Sequence, residues 1–256
     1  MAPTAPGRGP VLKAFARSLP VALVLATAVP APAQRSDFLF GRPDMTVTGV
    51  AGWALPGEGS DLFSFTREQL TIGEGDFAAP LVGVEAAFRV SERIDVALGY
   101  ERAGATVHSE MRDWVTQDDQ PIPQATEFTR QRLLGSLRVY VFPRGRTISE
   151  LAWVPNAWSP YIGGGVGRAW YEFEQYGDFV DFETLDIFED RFRAEGSGYT
   201  THVMGGVELS LSKRFLVRGE YRHIWGDGSI GGADFVGFND VDLSGSRVTL
   251  GVGVRI

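Results

Sequence analysis

The chain has 256 residues, 44 % hydrophobic and 12 % aromatic, with a formal net charge of −8 and no cysteine. The missing thiol excludes a disulfide framework, a thiol nucleophile and a lipid-anchored N-terminal cysteine. Its 32 glycines and 14 prolines suit many strands joined by turns.

The first residues read as a secretory leader. Arg8, Lys13 and Arg17 form a basic region, Leu19 to Val29 an apolar core, and Ala31-Pro32-Ala33 a small-residue cleavage site. That apolar core is too short to cross a bilayer as a helix, which takes about 20 residues. Residues 1–33 are therefore expected to be a signal peptide and residues 34–256 the mature domain. No later stretch is long and apolar enough for a membrane helix, but barrels cross bilayers with strands of about 9–11 residues.

Eight segments alternate in character with period two. Met45 to Leu55 sets Val47, Ala51 and Trp53 against Thr46 and Thr48. Ala79 to Val90 sets Val82, Val84, Ala86 and Phe88 against Glu85 and Arg89, and Ile94 to Ala105 sets Val96, Leu98 and Tyr100 against Asp95 and Glu101. In Phe128 to Phe142, Leu133, Leu137, Val139 and Val141 oppose Arg130, Arg132, Ser136 and Arg138. Pro160 to Phe173 is rich in glycine, which carries no facing information. Arg168 and Glu172 share one parity there, Tyr171 and Phe173 the other, and the two charged residues are assigned to the polar face. The stretch from Gly198 to Trp225 supplies two more segments, and Ser244 to Ile256 closes the set with Val248, Leu250, Val252 and Val254 against Arg247, Thr249 and Arg255.

Charge placement sets two registers. A three-residue turn at Ser212-Lys213-Arg214 puts Glu208 opposite Arg218 and Leu209 opposite Val217, whereas a one-residue slip would move the charges to opposite faces. The same parity puts Arg89 opposite Asp95. The candidate site residues are thus two ion pairs, Glu208 with Arg218 and Arg89 with Asp95. Nine arginines (Arg89, Arg130, Arg132, Arg138, Arg168, Arg218, Arg222, Arg247 and Arg255) and six acids (Glu85, Asp95, Glu101, Glu172, Glu208 and Glu220) are expected on the polar face. Lys13 and Lys213 are the only lysines, and arginine forks suit dry pairing with carboxylates.

Two connections, Ser91-Glu92-Arg93 and Ser212-Lys213-Arg214, are short. Pro56 to Asp76, Thr106 to Glu127, Glu174 to Ser197 and Gly226 to Asp242 are long and polar. Pro143 to Ser159 is a longer link on the short side, where Thr147 and Glu150 have capping-box spacing for one helical turn. Aromatics gather toward strand ends: Trp53, Tyr100, Tyr171, Tyr199 and Trp225 near the long connections, Phe142, Trp158, Tyr161 and Phe215 near the short ones. Mixed inward charge, aromatic girdles and unequal connections favour apolar residues facing lipid over a soluble barrel around an apolar ligand.

In the run Ser159 to Gly167, in Phe215 to Arg222 and in the closing Val248 to Ile256, the chain resembles the eight-stranded outer-membrane β-barrel superfamily of OmpA, OmpW and opacity-type proteins. The resemblance implies an all-β, eight-stranded antiparallel up-and-down barrel in the cell outer membrane with long extracellular loops. Its partners would be outer-membrane lipid, lipopolysaccharide and the barrel-assembly machinery, with no nucleic acid. The first functional expectation is a non-enzymatic envelope protein with a salt-bridged, largely closed lumen and acidic extracellular loops. The alternatives are an OmpW-like narrow channel for small or apolar solutes and, third, a lipid-modifying barrel enzyme.

Other constellations are weaker. Gly163-Gly164-Gly165-Val166-Gly167 lacks the helix a dinucleotide loop requires, so close strand approach is the better reason for it. The acidic stretch Glu174 to Glu195 matches no EF-hand spacing and is read as a solvated loop whose phenylalanines pack on the rim. No cofactor or metal is expected. His202 and His223 fall on opposite faces. Some eight-stranded barrels of the kind this chain resembles are lipid A hydrolases with a lipid-facing histidine and a serine two residues on; carried to His223, that position is Trp225, and Ser229 is already in the loop.

Overall fold

Alternating segments become ladders when each pairs with its neighbour in the register that keeps one face apolar. The computed structural model describes residues 39–149, 152–231, 234–235 and 237–256. The expected leader, residues 1–33, lies outside them.

In chain order the elements are β1 (Leu39–Phe40), β2 (Met45–Pro56), α1 (Asp61–Gln69), β3 (Ala79–Arg89), β4 (Ile94–Val115), β5 (Pro121–Tyr140), β6 (Gly145–Ser149), β7 (Ala152–Pro155), β8 (Trp158–Val180), β9 (Ile187–Ser210), β10 (Phe215–Trp225), β11 (Asp227–Gly228), β12 (Val241–Asp242) and β13 (Gly245–Arg255). Strands β2, β3, β4, β5, β8, β9, β10 and β13 form one closed antiparallel ring, β13 pairing back onto β2. Closure leaves the barrel without an edge strand. The expected registers hold: Glu208 lies opposite Arg218, Leu209 opposite Val217, and Arg89 opposite Asp95.

The apolar face points outward. Leu250 and Val252 are 67 % and 61 % exposed, while Arg138 and Asp95 inside are 0 % exposed. This inverts a soluble fold and is what a barrel in lipid requires. One strand reverses the sequence expectation. On β8 it is Tyr161, Ala169, Tyr171 and Phe173 that are buried, whereas Arg168 is exposed and Glu172 half-buried on the outer side. Tyr161 and Tyr171 are therefore not girdle residues, and Arg168 and Glu172 are not lumen residues. The physical reason lies in the glycines. An added Cβ at Gly163 would meet the Met204 side chain at 2.6 Å, and one at Gly165 would overlap the Gly135 carbonyl oxygen. Glycines therefore take the crowded inner side, and the rings further along that parity follow them inward.

The long connections are also more regular than their polarity suggests. Four strands run far beyond the 9–11 residues or so a bilayer needs: β4 has 22 residues, β5 20, β8 23 and β9 24. Most of Thr106 to Glu127 and Glu174 to Ser197 is thus ladder, with Val107 opposite Thr126 and Phe179 opposite Phe188. Part of their inner side packs into the barrel mouth, where Met111, Ile122, Val180 and Ala194 are buried, and elsewhere the paired backbone groups satisfy one another without an apolar stripe. The Pro56 to Asp76 connection contains α1, which begins after Ser60, carries Asp61 in its first turn and Arg67 in its last. Pro143 to Ser159 holds no helical turn among its described residues. Instead β6 and β7 pair, and β1 joins β7 in a three-stranded sheet at the short-turn end.

Candidate functional site

Inside the barrel the side chains form layers. The middle layer is built on Glu85 from β3 and Glu220 from β10. Glu85 Oε2 accepts from Arg138 Nη2 at 2.5 Å, and its Oε1 from Arg218 Nη1 at 2.6 Å. Glu220 Oε1 accepts from Arg222 Nη2 at 2.8 Å and from Arg247 Nη2 at 3.3 Å, while its Oε2 takes Arg138 Nη2 at 3.1 Å and the Tyr161 hydroxyl at 2.7 Å. Arg247 also pairs with Glu101, which lies 3.5 Å from Arg132 Nη1. Two carboxylates are therefore shared among four guanidinium groups. Each acid has more than one partner, which is how a largely desolvated charge is kept tolerable.

Toward the short-turn end the layer changes. Tyr140 donates to Glu208 Oε1 at 2.8 Å and to Asp95 Oδ2 at 3.3 Å, and Arg144 Nη2 donates to Asp95 Oδ1 at 2.8 Å. Below it Trp153 of β7 is 2 % exposed. The Arg89 and Arg255 guanidinium carbons lie 5.3 Å and 5.6 Å from its ring centre, within cation–π range.

The two expected ion pairs are corrected by this geometry. Glu208 and Arg218 face each other across the ladder and both point inward, but Arg218 reaches Glu85 and Glu208 takes Tyr140. Arg89 faces Asp95, yet Asp95 pairs with Arg144 and Arg89 lies over Trp153. In a narrow lumen a long arginine side chain reaches across the barrel as readily as to its ladder neighbour, so cross-strand opposition does not choose the partner. Of the partners missed from sequence, Tyr140 shares its parity with Arg138 and was readable on that ground. Arg144 sits past the strand end, where parity says nothing.

The mouth at the long-connection end is filled differently. Leu62 and Phe63 of α1, Phe77, Phe128, Tyr171, Phe173 and Leu243 are all buried in one apolar cluster. The Phe63 ring packs edge-on against Phe128 at 5.2 Å and Phe173 at 5.9 Å. Between this cluster and the middle layer Arg132 Nη2 donates to the Leu243 carbonyl at 3.0 Å. Arg130 finds no charged partner within ion-pair distance among the described residues; its guanidinium lies 4.9 Å over the Phe128 ring.

On the outer surface Trp53, Tyr100, Tyr199 and Trp225 stay exposed near the long connections, and Phe142, Trp158 and Phe215 near the short turns. Arg168 stands among the first group, its guanidinium carbon 5.6 Å from the Trp170 and Tyr199 ring centres. A cation there sits at the interface level and outside the hydrocarbon.

The sequence model of the outer membrane protein beta-barrel domain matches residues 19–255. No curated protein sequence matches the chain. Among solved structures, Neisserial surface protein A is 14 % identical, with 83 % of this chain and 97 % of that one covered at a TM-score of 0.46. OprG from Pseudomonas aeruginosa is 13 % identical, with 86 % and 98 % covered at 0.48. The outer membrane protein W of E. coli is 16 % identical, with 84 % and 99 % covered at 0.33. With the family model spanning nearly the whole chain and a closed eight-stranded ring that is apolar outside and charged within, this protein belongs to the outer membrane protein beta-barrel domain family and is a protein of the outer membrane.

Proposed function

We propose that this protein is a closed barrel that passes no solute and presents acidic hairpins outside the cell. The observation that carries this reading is the layered filling of the lumen: the Trp153 seal, the Glu85–Arg138–Glu220 network and the Phe63 cluster follow one another along a single bore. Eight strands leave an interior just wide enough for side chains, so three occupied layers leave no continuous path. Outside, the β8–β9 hairpin displays Asp178, Asp181, Glu183, Asp186, Glu189 and Asp190 around its tip. Lower down, Glu174 pairs with Arg191 and Glu172 with Arg193. The reading includes an exported chain freed of residues 1–33, lipid and lipopolysaccharide against the outer face, and the barrel-assembly machinery as its partner during insertion.

Planar-bilayer recording of the purified protein tests it. The expected result is no resolvable single-channel current at neutral pH. Steady unitary currents would put the narrow-channel reading, for small or apolar solutes, in its place.

A further inference from the structure

The outer face carries a pair of groups that neither the closed lumen nor lipid contact requires. His223 of β10 points outward, and its register partner on β13 is Ser246. Ser246 Oγ lies 2.8 Å from His223 Nδ1 and 2.9 Å from the Tyr221 hydroxyl. All three side chains stand on the outward parity, above Val248, Leu250 and Val252 on the same face of β13. The Trp225 ring packs edge-on against the imidazole at 4.5 Å. The group therefore sits at the aromatic girdle of the outer rim, where the ester linkages of outer-leaflet lipids lie.

We propose that Ser246 and His223 form a nucleophile–base pair that hydrolyses fatty-acyl esters of outer-leaflet lipids. A serine hydroxyl is a weak nucleophile until a base within hydrogen-bond reach takes its proton. In the arrangement that serves this, Tyr221 donates to Ser246 Oγ and Ser246 donates to the free lone pair of Nδ1. Ser246 Oγ attacks the acyl carbon while its proton passes to Nδ1. The bond to the alcohol oxygen then breaks, and that oxygen leaves with the proton from Nδ1. Water attacks the acyl-serine, gives a proton to Nδ1, and the fatty acid departs as Ser246 regains its hydrogen. As Ser246 Oγ spends its lone pair on the acyl carbon it releases the Tyr221 hydrogen bond, and that hydroxyl then donates to the carbonyl oxygen as it turns negative. Below the pair the exposed Val248, Leu250 and Val252 offer an acyl chain an apolar track. Beside it Trp225 also walls a shallow cleft of about 520 Å³ with Tyr199 and Val166. The inference uses only the outer face and is independent of the closed lumen.

The full-length mature protein, folded into vesicles of phosphatidylethanolamine with or without lipopolysaccharide, tests this. Free fatty acid release is the first readout, and mass-mapped labelling by an alkyl fluorophosphonate the second. The expected result is release from at least one lipid and a phosphonyl adduct on Ser246. Release without lipopolysaccharide identifies the phospholipid as a substrate, and release only in its presence identifies the lipopolysaccharide. Ser246→Ala should abolish both readouts, and His223→Gln should lower release by roughly 10²–10⁴-fold while the barrel keeps its heat-modifiable gel mobility. Tyr221→Phe should lower kcat more than it alters KM. A folded wild type that neither releases fatty acid nor labels at Ser246 overturns the proposal and leaves a structural hydrogen bond. Release that survives in Ser246→Ala overturns it equally.

Discussion

Phe128 and Arg138 lie on the same face of β5, ten residues apart, and both are buried in the same bore. Phe128 sits among other rings, and Arg138 sits between two carboxylates. The difference follows from what surrounds each level of the barrel. At Arg138 the outer face of the ring is lipid, so apolar residues are spent outside and polar ones fill the lumen by pairing. At Phe128 the neighbours of outward parity are Glu127 and Thr129, no longer hydrocarbon, and the interior is built as in a soluble protein, by packing apolar side chains. One set of strands thus carries an inside-out protein below and an ordinary core above. Failure should differ accordingly: losing a charge orphans its partners, whereas losing a ring opens a cavity.

The contrast breaks most severely at Glu85. Glu85→Ala leaves Arg138 and Arg218 without their closest acid and should cost about 3–5 kcal/mol, as breaking a buried ion pair does. Urea unfolding in lipid vesicles is the measurement, and an unchanged midpoint would mean that the middle layer is not desolvated. Phe63→Ala removes a ring of similar energetic weight, about 3–5 kcal/mol, but from the mouth. Its expected signature is a loosened cap with faster cleavage around α1, while the membrane barrel unfolds at the wild-type urea concentration. Global unfolding at lower urea would show that cap and barrel are one cooperative unit.

Two double-mutant cycles sharpen the comparison within the lumen. Glu85→Ala and Arg218→Ala are in contact and should couple by roughly 0.5–3 kcal/mol. Glu208 and Arg218 face each other on the ladder but bond to Tyr140 and Glu85 instead, so Glu208→Ala and Arg218→Ala should couple less than the first pair. A larger coupling in the second pair would restore the ladder-neighbour pairing.

The smallest expected effect lies at the tip of the β8–β9 hairpin, outside both cores. The Asp181 carboxylate accepts the backbone N–H groups of Glu183 at 2.8 Å and Thr184 at 3.2 Å, and these bonds hold its pKa below the ordinary aspartate value. A depressed carboxylate stabilises its fold above the unfolded value and loses that effect as pH falls through the folded one. The tip should therefore stay ordered at neutral pH and loosen only in strong acid. The amide shifts of Glu183 and Thr184, followed by NMR down the pH scale, should move with a midpoint below the usual aspartate range. An ordinary midpoint would mean that the turn is not held this way.

Periodicity located all eight ring strands, charge placement set the two hairpin registers, and the two together gave, on seven strands, which face meets lipid. That much is local, since a strand shows its two faces in its own residues. On β8 the glycines between Gly163 and Gly167 erase the pattern, and only crowding against Gly135 and Met204 decides the facing. The ladder extensions were hidden because their buried apolar residues, among them Met111, Ile122, Val180 and Ala194, are too sparse among polar ones to show a period-two stripe. Partner choice among the lumen charges was hidden as well, because Arg138 reaches Glu85 and Glu220, and Arg218 reaches Glu85, across a closed ring whose diameter no single strand encodes. The pairing of His223 with Ser246 belongs to the same class: 23 residues apart in sequence, they are neighbours only because β13 lies beside β10 in that register.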